Sequence, residues 1–200
     1  MALSSGHAGI EVKGAVIPGD PEAAGGADRL RFPPVDTFLA IASRRETRDY
    51  SHRPIPNDVT KRILEAGRLA GSARNRQPWR FLIVEDETAR ARLAEAVFEP
   101  TNVQGAQLVV AIVGRSGLDT GRCAQNMLLA AWNAGVGSCP NGQRDPEAAR
   151  AALGLGTDEE IAVVLTFGYP ARERDPDRRT AEEWSARADR KPLDELVSRL

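Results

Sequence analysis

Ile41-Ala-Ser-Arg-Arg-Glu-Thr-Arg48 and, one helix-length later, Gly71-Ser-Ala-Arg-Asn-Arg-Gln-Pro-Trp-Arg-Phe81 frame the stretch that decides how this chain reads. The first segment puts three arginines within five residues, where an apolar helical segment ends. Planar guanidinium groups bind a phosphate monoester in bidentate fashion. The bland alternative is a solvated helix end favoured by the helix dipole. The second segment offers Ser72, Asn75 and Gln77, whose amides both donate and accept and can read the edge of a heteroaromatic ring. Gly71 reads as a helix C-cap, and Pro78 is expected to hold Gln77 extended. An ordinary helix-loop-strand connection explains the Gly and Pro, but not their combination with the arginines. Together the two segments suit a ligand with an anionic tail and a flat, polar-edged head.

Outward from this stretch the chain alternates between helix and strand. Pro34 or Asp36 starts a helix with Phe38, Leu39, Ile41 and Ala42 inward. Asn57 and Asp58 offer caps for a second, with Val59, Ile63, Ala66 and Ala70 on one stripe. Trp79 to Val84 reads as a buried strand, and Asp86 opens a helix through Val97. Leu108 to Val113 is a continuous apolar run, as in a central strand covered on both faces. Asp119 is expected to cap a long helix through Ala134, ended by Gly135 and apolar around much of its circumference, either a central core or a subunit interface. A short strand is expected at Val136 to Cys139, a helix from Asp145-Pro146, and a strand from Ile161 to Phe167. Thr180 and Glu183 have capping-box spacing.

The order Arg-Arg-x-x-Arg, a helix, then Ser-x-x-Asn-x-Gln-Pro-Trp-x-Phe resembles the FMN-dependent nitroreductase family. The resemblance extends over most of residues 36 to 200. It includes Pro54-Ile-Pro56, Asn126-Met-Leu-Leu-Ala-Ala131, Phe167-Gly-Tyr-Pro170 and Arg190-Lys-Pro-Leu-Asp-Glu-Leu-Val197. It implies an α+β fold whose central sheet is mixed, mostly antiparallel, and flanked by helices. It also implies a homodimer with flavin at the subunit interface. On the matching positions, Arg44, Arg45 and Arg190 would hold the FMN phosphate, with Arg48 near the ring or the ribityl chain. Ser72 and Asn75 would touch the flavin, partly from the neighbouring subunit, and Gln77 lies in the same loop. The implied reaction carries hydride from NAD(P)H through FMN to a nitroaromatic, quinone or similar acceptor. Alternatives are another flavin reaction on the same fold, such as flavin fragmentation or reductive dehalogenation, and a non-catalytic flavin-sequestering protein.

The chain departs from the family pattern at Glu46, where Ser is common. A carboxylate there would repel a phosphate, so it is expected to point away or to pair with an arginine. Gly71-Ser72-Ala73 stands where the family more often begins with Pro. The chain stops soon after Arg190, so an arm wrapping the partner is not assumed.

Composition bounds the remaining classes. Two hundred residues, 42% apolar and 28% charged, suit one soluble domain over residues 34–200. Residues 1–33, rich in Gly, Ala and Pro, read as a flexible arm. A net charge of -1 gives no reason to expect nucleic acid or an anionic membrane. No apolar run reaches the length of roughly 18 residues needed to span a bilayer. Cys123 and Cys139, the only two cysteines, read as reduced thiols in a cytoplasmic protein, and no metal site is expected. Cys139 falls in Gly137-Ser-Cys-Pro-Asn-Gly142, which also suits an Asn-Gly turn. No Rossmann, P-loop or nucleophile-elbow motif occurs. His52 reads as a surface residue, and no catalytic side chain is named, since flavin chemistry needs none from the protein.

Overall fold

The structure is a computed structural model that describes residues 36–199. The arm expected at 1–33 lies outside the described residues.

Four strands, β1 (Arg80–Ile83), β2 (Leu108–Val113), β3 (Gly137–Asn141) and β4 (Ile161–Gly168), form one sheet in the order β1-β2-β4-β3. Every neighbouring pair is antiparallel. The parallel component is a single bridge between Glu46 and Ser138 on the outer edge of β3.

Helices cover both faces. On one face lie α3 (Glu87–Ala96), α4 (Pro100–Gly105) and α6 (Pro146–Ala152). On the other lie α2 (Asn57–Arg68) and α5 (Leu118–Asn133). β2 shows why its sequence is continuously apolar rather than alternating. Val109 and Ala111 join Leu93, Val97 and Val103 on the first side. Leu108, Val110 and Ile112 meet Ile63, Met127 and Phe167 on the second.

α5 buries Thr120, Cys123, Ala124, Met127, Leu128, Ala131 and Trp132. That spacing is one stripe of a 3.6-residue helix. Gly135 ends it at φ 72°, a conformation in which a residue without Cβ is unstrained. The caps at Asp86 and Asp145 and the reciprocal Thr180–Glu183 box of α7 (Ala181–Ala186) are all formed.

Several local expectations are corrected. α1 (Thr37–Ser43) is capped by Asp36, but it buries Ala40 and Ser43 while Phe38 and Ile41 stay more than half exposed. Its inner face packs on α7 and α5, where small residues are needed. α2 starts after Pro56 with no side-chain cap, so Asn57 and Asp58 lie inside the helix instead. β1 is only partly buried; among the described residues it is an edge strand, with nothing paired beyond it. The Asn141-Gly142 turn is absent at Cys139, since β3 runs on through Asn141. Pro140 is tolerated there because β3 is the last strand of the sheet.

Candidate functional site

The arginine segment starts where α1 stops. Arg44 takes φ -59° and ψ 132°, which is extended backbone. The helix therefore does not continue to Arg48. The chain instead runs along the edge of β3, where the Thr47 N–H donates to the Ser138 carbonyl at 2.9 Å. Gly137 makes this approach possible, because a Cβ there would lie 2.6 Å from Thr47 Oγ1. Tyr50 closes the segment by bonding Thr166 Oγ1 at 3.0 Å beneath the sheet.

Arg45 is the centre of a cationic cluster. Burial, then the neighbouring guanidinium groups of Arg190, Arg174 and Arg44 hold its pKa below the ordinary arginine range. Its Nη1 donates to the carbonyls of Ala42 and Arg44, and its Nη2 donates to that of Trp184 at 3.2 Å. The Trp184 ring lies 5.7 Å from the Arg45 guanidinium carbon and 4.9 Å from that of Arg179. Among the described residues, Arg45, Arg174 and Arg190 make no ion pair, so these three members of the cluster have no carboxylate against them.

Arg44 does have a carboxylate partner. Its Nη2 donates to Glu46 Oε1 at 2.9 Å, as the sequence led one to expect of an acid in that position. Arg44 Nη1, Glu46 Oε2 and Thr47 Oγ1 are buried with no hydrogen-bond partner. An orphaned guanidinium nitrogen beside uncompensated cations suits an anionic oxygen ligand such as a phosphate. Arg48 is exposed and lines an adjacent cleft with Glu46, Thr47, Asp49, Pro170, Arg172 and Arg174.

The second group of residues sits on the loop between α2 and β1. Ser72 Oγ accepts from the Gln77 N–H at 2.8 Å, closing the loop on itself. Arg74, Asn75 and Gln77 all lie at positive φ, between 49° and 54°. Gln77 is therefore not extended, although Pro78 follows it. Three residues other than glycine in the left-handed region of one loop store strain of a kind that clusters at functional sites. The loop is tied to α5 by the Ala73 N–H, which donates to Asp119 Oδ2 at 3.1 Å. Gly71 is not a left-handed cap; its missing side chain makes room for Arg122, whose Nη2 would lie 2.7 Å from a Cβ. An open depression beside the loop is lined by Gly71, Leu118, Gly121, Arg122, Gln125 and Asn126.

The seven expected residues thus fall into two groups. Arg44, Arg45 and Arg190 come together, with Arg48 on the flank; Ser72, Asn75 and Gln77 form the other group. The first is fixed near one end of α5, where the Trp132 indole N–H donates to Ser43. The second is fixed at the other end, through Asp119. Those anchors are thirteen residues apart, or roughly 20 Å of helix. Sequence reasoning missed Arg174 and Trp184. The Arg172-Glu-Arg174 run has no local signal that sets it apart from solvated surface charge.

Cys123 and Cys139 are both buried and free. Burial pushes each up to about 11, and at Cys139 the nearby Glu46 charge adds to the effect. His52 is exposed, and no group of three or more potential metal ligands occurs among the described residues. No helix there is long and apolar enough to cross a membrane.

The fold is thus a two-sided α+β sandwich with an arginine cluster near one end of α5 and a strained amide loop near the other. The chain belongs to the nitroreductase family, whose profile matches residues 41–117 and 114–169. A protein from Archaeoglobus fulgidus assigned as an NADH dehydrogenase/NAD(P)H nitroreductase is 33% identical over 167 residues, covering 72% of this chain and 96% of its own. An NADH dehydrogenase from Thermus thermophilus is 28% identical over 191 residues, covering 74% and 93%. A protein from Desulfovibrio desulfuricans assigned as a nitroreductase and solved with FMN superposes with a TM-score of 0.70 at 26% identity, covering 83% of this chain and 98% of its own.

Proposed function

We propose that this chain is an FMN-dependent oxidoreductase that carries hydride from NAD(P)H to a nitroaromatic, quinone or related acceptor. The observation that carries the reading is the cluster around Arg45, beside the orphaned Nη1 of Arg44. Arg44, Arg45, Arg190 and Arg174 would hold the phosphate. Asn75 and Gln77 would face the polar edge of the ring. Ser72 already accepts the Gln77 N–H, so its own hydroxyl proton remains available to donate. FMN, when bound, supplies the two-electron chemistry, and the protein supplies position, charge and water exclusion. No side chain is assigned as acid, base or nucleophile.

The two groups of residues, at opposite ends of α5, support a homodimer in which one subunit's cradle and the other's loop complete one site.

The test is to identify the flavin released from purified protein and to assay the loaded protein with NADH or NADPH and a quinone. FMN with acceptor-dependent nicotinamide oxidation supports the proposal. FAD alone, or no flavin after reconstitution, contradicts it. FMN without nicotinamide oxidation would favour flavin sequestration, and activity only on a halogenated aromatic would favour dehalogenation.

A further inference from the structure

Arg44 enters the cradle with an anion already attached. Glu46 accepts from its Nη2 at 2.9 Å, the side chains being 15% and 32% exposed. The second carboxylate oxygen of Glu46 is buried without a hydrogen bond of normal geometry, and the Cys139 thiol faces the carboxylate. The backbone leaves little freedom to move this acid away. Glu46 is bridged to Ser138, and Thr47 is clamped between the Ser138 carbonyl and Gly137. The charged or titratable groups around it are Arg44, Arg48, Tyr50 and Cys139.

A phosphate placed on Arg44 Nη1 would therefore share its guanidinium with a carboxylate held in the same half-buried place. The carboxylate offsets part of Arg44's charge and repels the incoming anion, and partial burial strengthens both effects. A ligand without phosphate would meet neither. From this geometry we infer that Glu46 is a specificity-determining residue: it weakens the phosphate cradle and narrows the preference for FMN over phosphate-free riboflavin. Its tether also aims Arg44, but the negative charge sets the affinity.

The inference rests on the FMN reading above, and one set of titrations separates the two. FMN and riboflavin are titrated into flavin-depleted full-length wild type, Glu46→Gln, Glu46→Ser and Arg45→Ala, with melting temperature recorded for each. Gln keeps the acceptor for Arg44 and removes only the charge. E46Q is expected to bind FMN about tenfold tighter, equivalent to 1.4 kcal/mol, with riboflavin affinity unchanged. E46S, which cannot reproduce the tether, should move FMN in the same direction, so the result does not depend on one variant folding. Unchanged or weaker FMN binding in both folded variants would overturn the inference. An equal shift for FMN and riboflavin would also overturn it, because a purely structural role moves both. If R45A binds FMN like wild type, the phosphate lies elsewhere and both readings fall. If R45A weakens FMN while the Glu46 variants do not tighten it, only the present inference falls.

Discussion

Trp132 donates its indole N–H to the hydroxyl of Ser43 at 2.9 Å, and both residues are buried. This bond joins the last turn of α5 to the residue immediately before Arg44. It is the point at which the core of the domain sets the position of the cradle. Trp132→Phe keeps most of the ring but leaves the Ser43 hydroxyl without its donor. A buried polar group left unpaired costs about 1–3 kcal/mol. Urea denaturation should show a loss of that size, with weaker FMN binding. Trp132→Phe combined with Ser43→Ala should cost less than the sum of the two single changes, because no orphaned group remains.

Gly137→Ala tests the contact between the arginine segment and β3. The added Cβ would lie 2.6–2.8 Å from three atoms of the Thr47 side chain. Overpacking of this kind costs typically about 1–3 kcal/mol. The variant should melt earlier and lose FMN affinity more than riboflavin affinity. A wild-type melting temperature with unchanged FMN binding would show that Thr47 is not clamped there.

The thiols predict a pH dependence. Each has its folded pKa raised to about 11, above an unfolded value of about 8.5. The folded state then holds protons that the unfolded state has released. The contribution to stability is complete below pH of about 8.5 and is lost as pH rises through about 11. Melting temperatures recorded across that window should fall, and fall less in Cys123→Ala/Cys139→Ala relative to its own neutral value. Neither thiol should react with a disulfide reagent at neutral pH until the protein unfolds.

Mixed dimers test whether sites are shared. Arg45→Ala should weaken FMN binding about tenfold or more, since a charge-assisted hydrogen bond is worth about 1.5–3 kcal/mol. Asn75→Ala should impair the loop end. If cradle and loop come from different subunits, a dimer of one Arg45→Ala and one Asn75→Ala chain has one intact site and one doubly defective site. Half of the wild-type FMN capacity should then return at wild-type affinity. No recovery would place both groups of one site in a single chain.

Much of the fold was legible because burial on two faces leaves a plain mark. Leu108 to Val113 read correctly from its apolar run, and Gly135, Asp86 and Asp145 marked ends through known local chemistry. α5 was legible as a helix, but Gly117 rather than Asp119 holds its N-cap position and one stripe rather than most of its circumference is buried. α1 did not read correctly, because Phe38 and Ile41 are apolar yet exposed, while the inward Ser43 is polar and satisfied by Trp132. The grouping of Arg44, Arg45 and Arg190 followed from the family resemblance; no period or spacing links residues 145 positions apart. Arg174 and Trp184 joined that group only in three dimensions. The left-handed Gln77 was illegible because its N–H donates to Ser72 Oγ within the same loop, a closure that sets its backbone against the usual effect of the following proline.

The proposed hydride relay, with donor and acceptor taking turns at one flavin face in a ping-pong pattern, is tested most directly by steady-state kinetics of the FMN-loaded protein, with NAD(P)H and a quinone varied together. Under that proposal double-reciprocal plots should be parallel, and His52→Ala and Cys139→Ala should each retain the rate within about tenfold, a barrier change of roughly 1.4 kcal/mol. A general acid typically contributes about 10²–10⁴-fold. Intersecting plots, or a loss of several hundredfold in either variant with FMN still bound, would contradict the account.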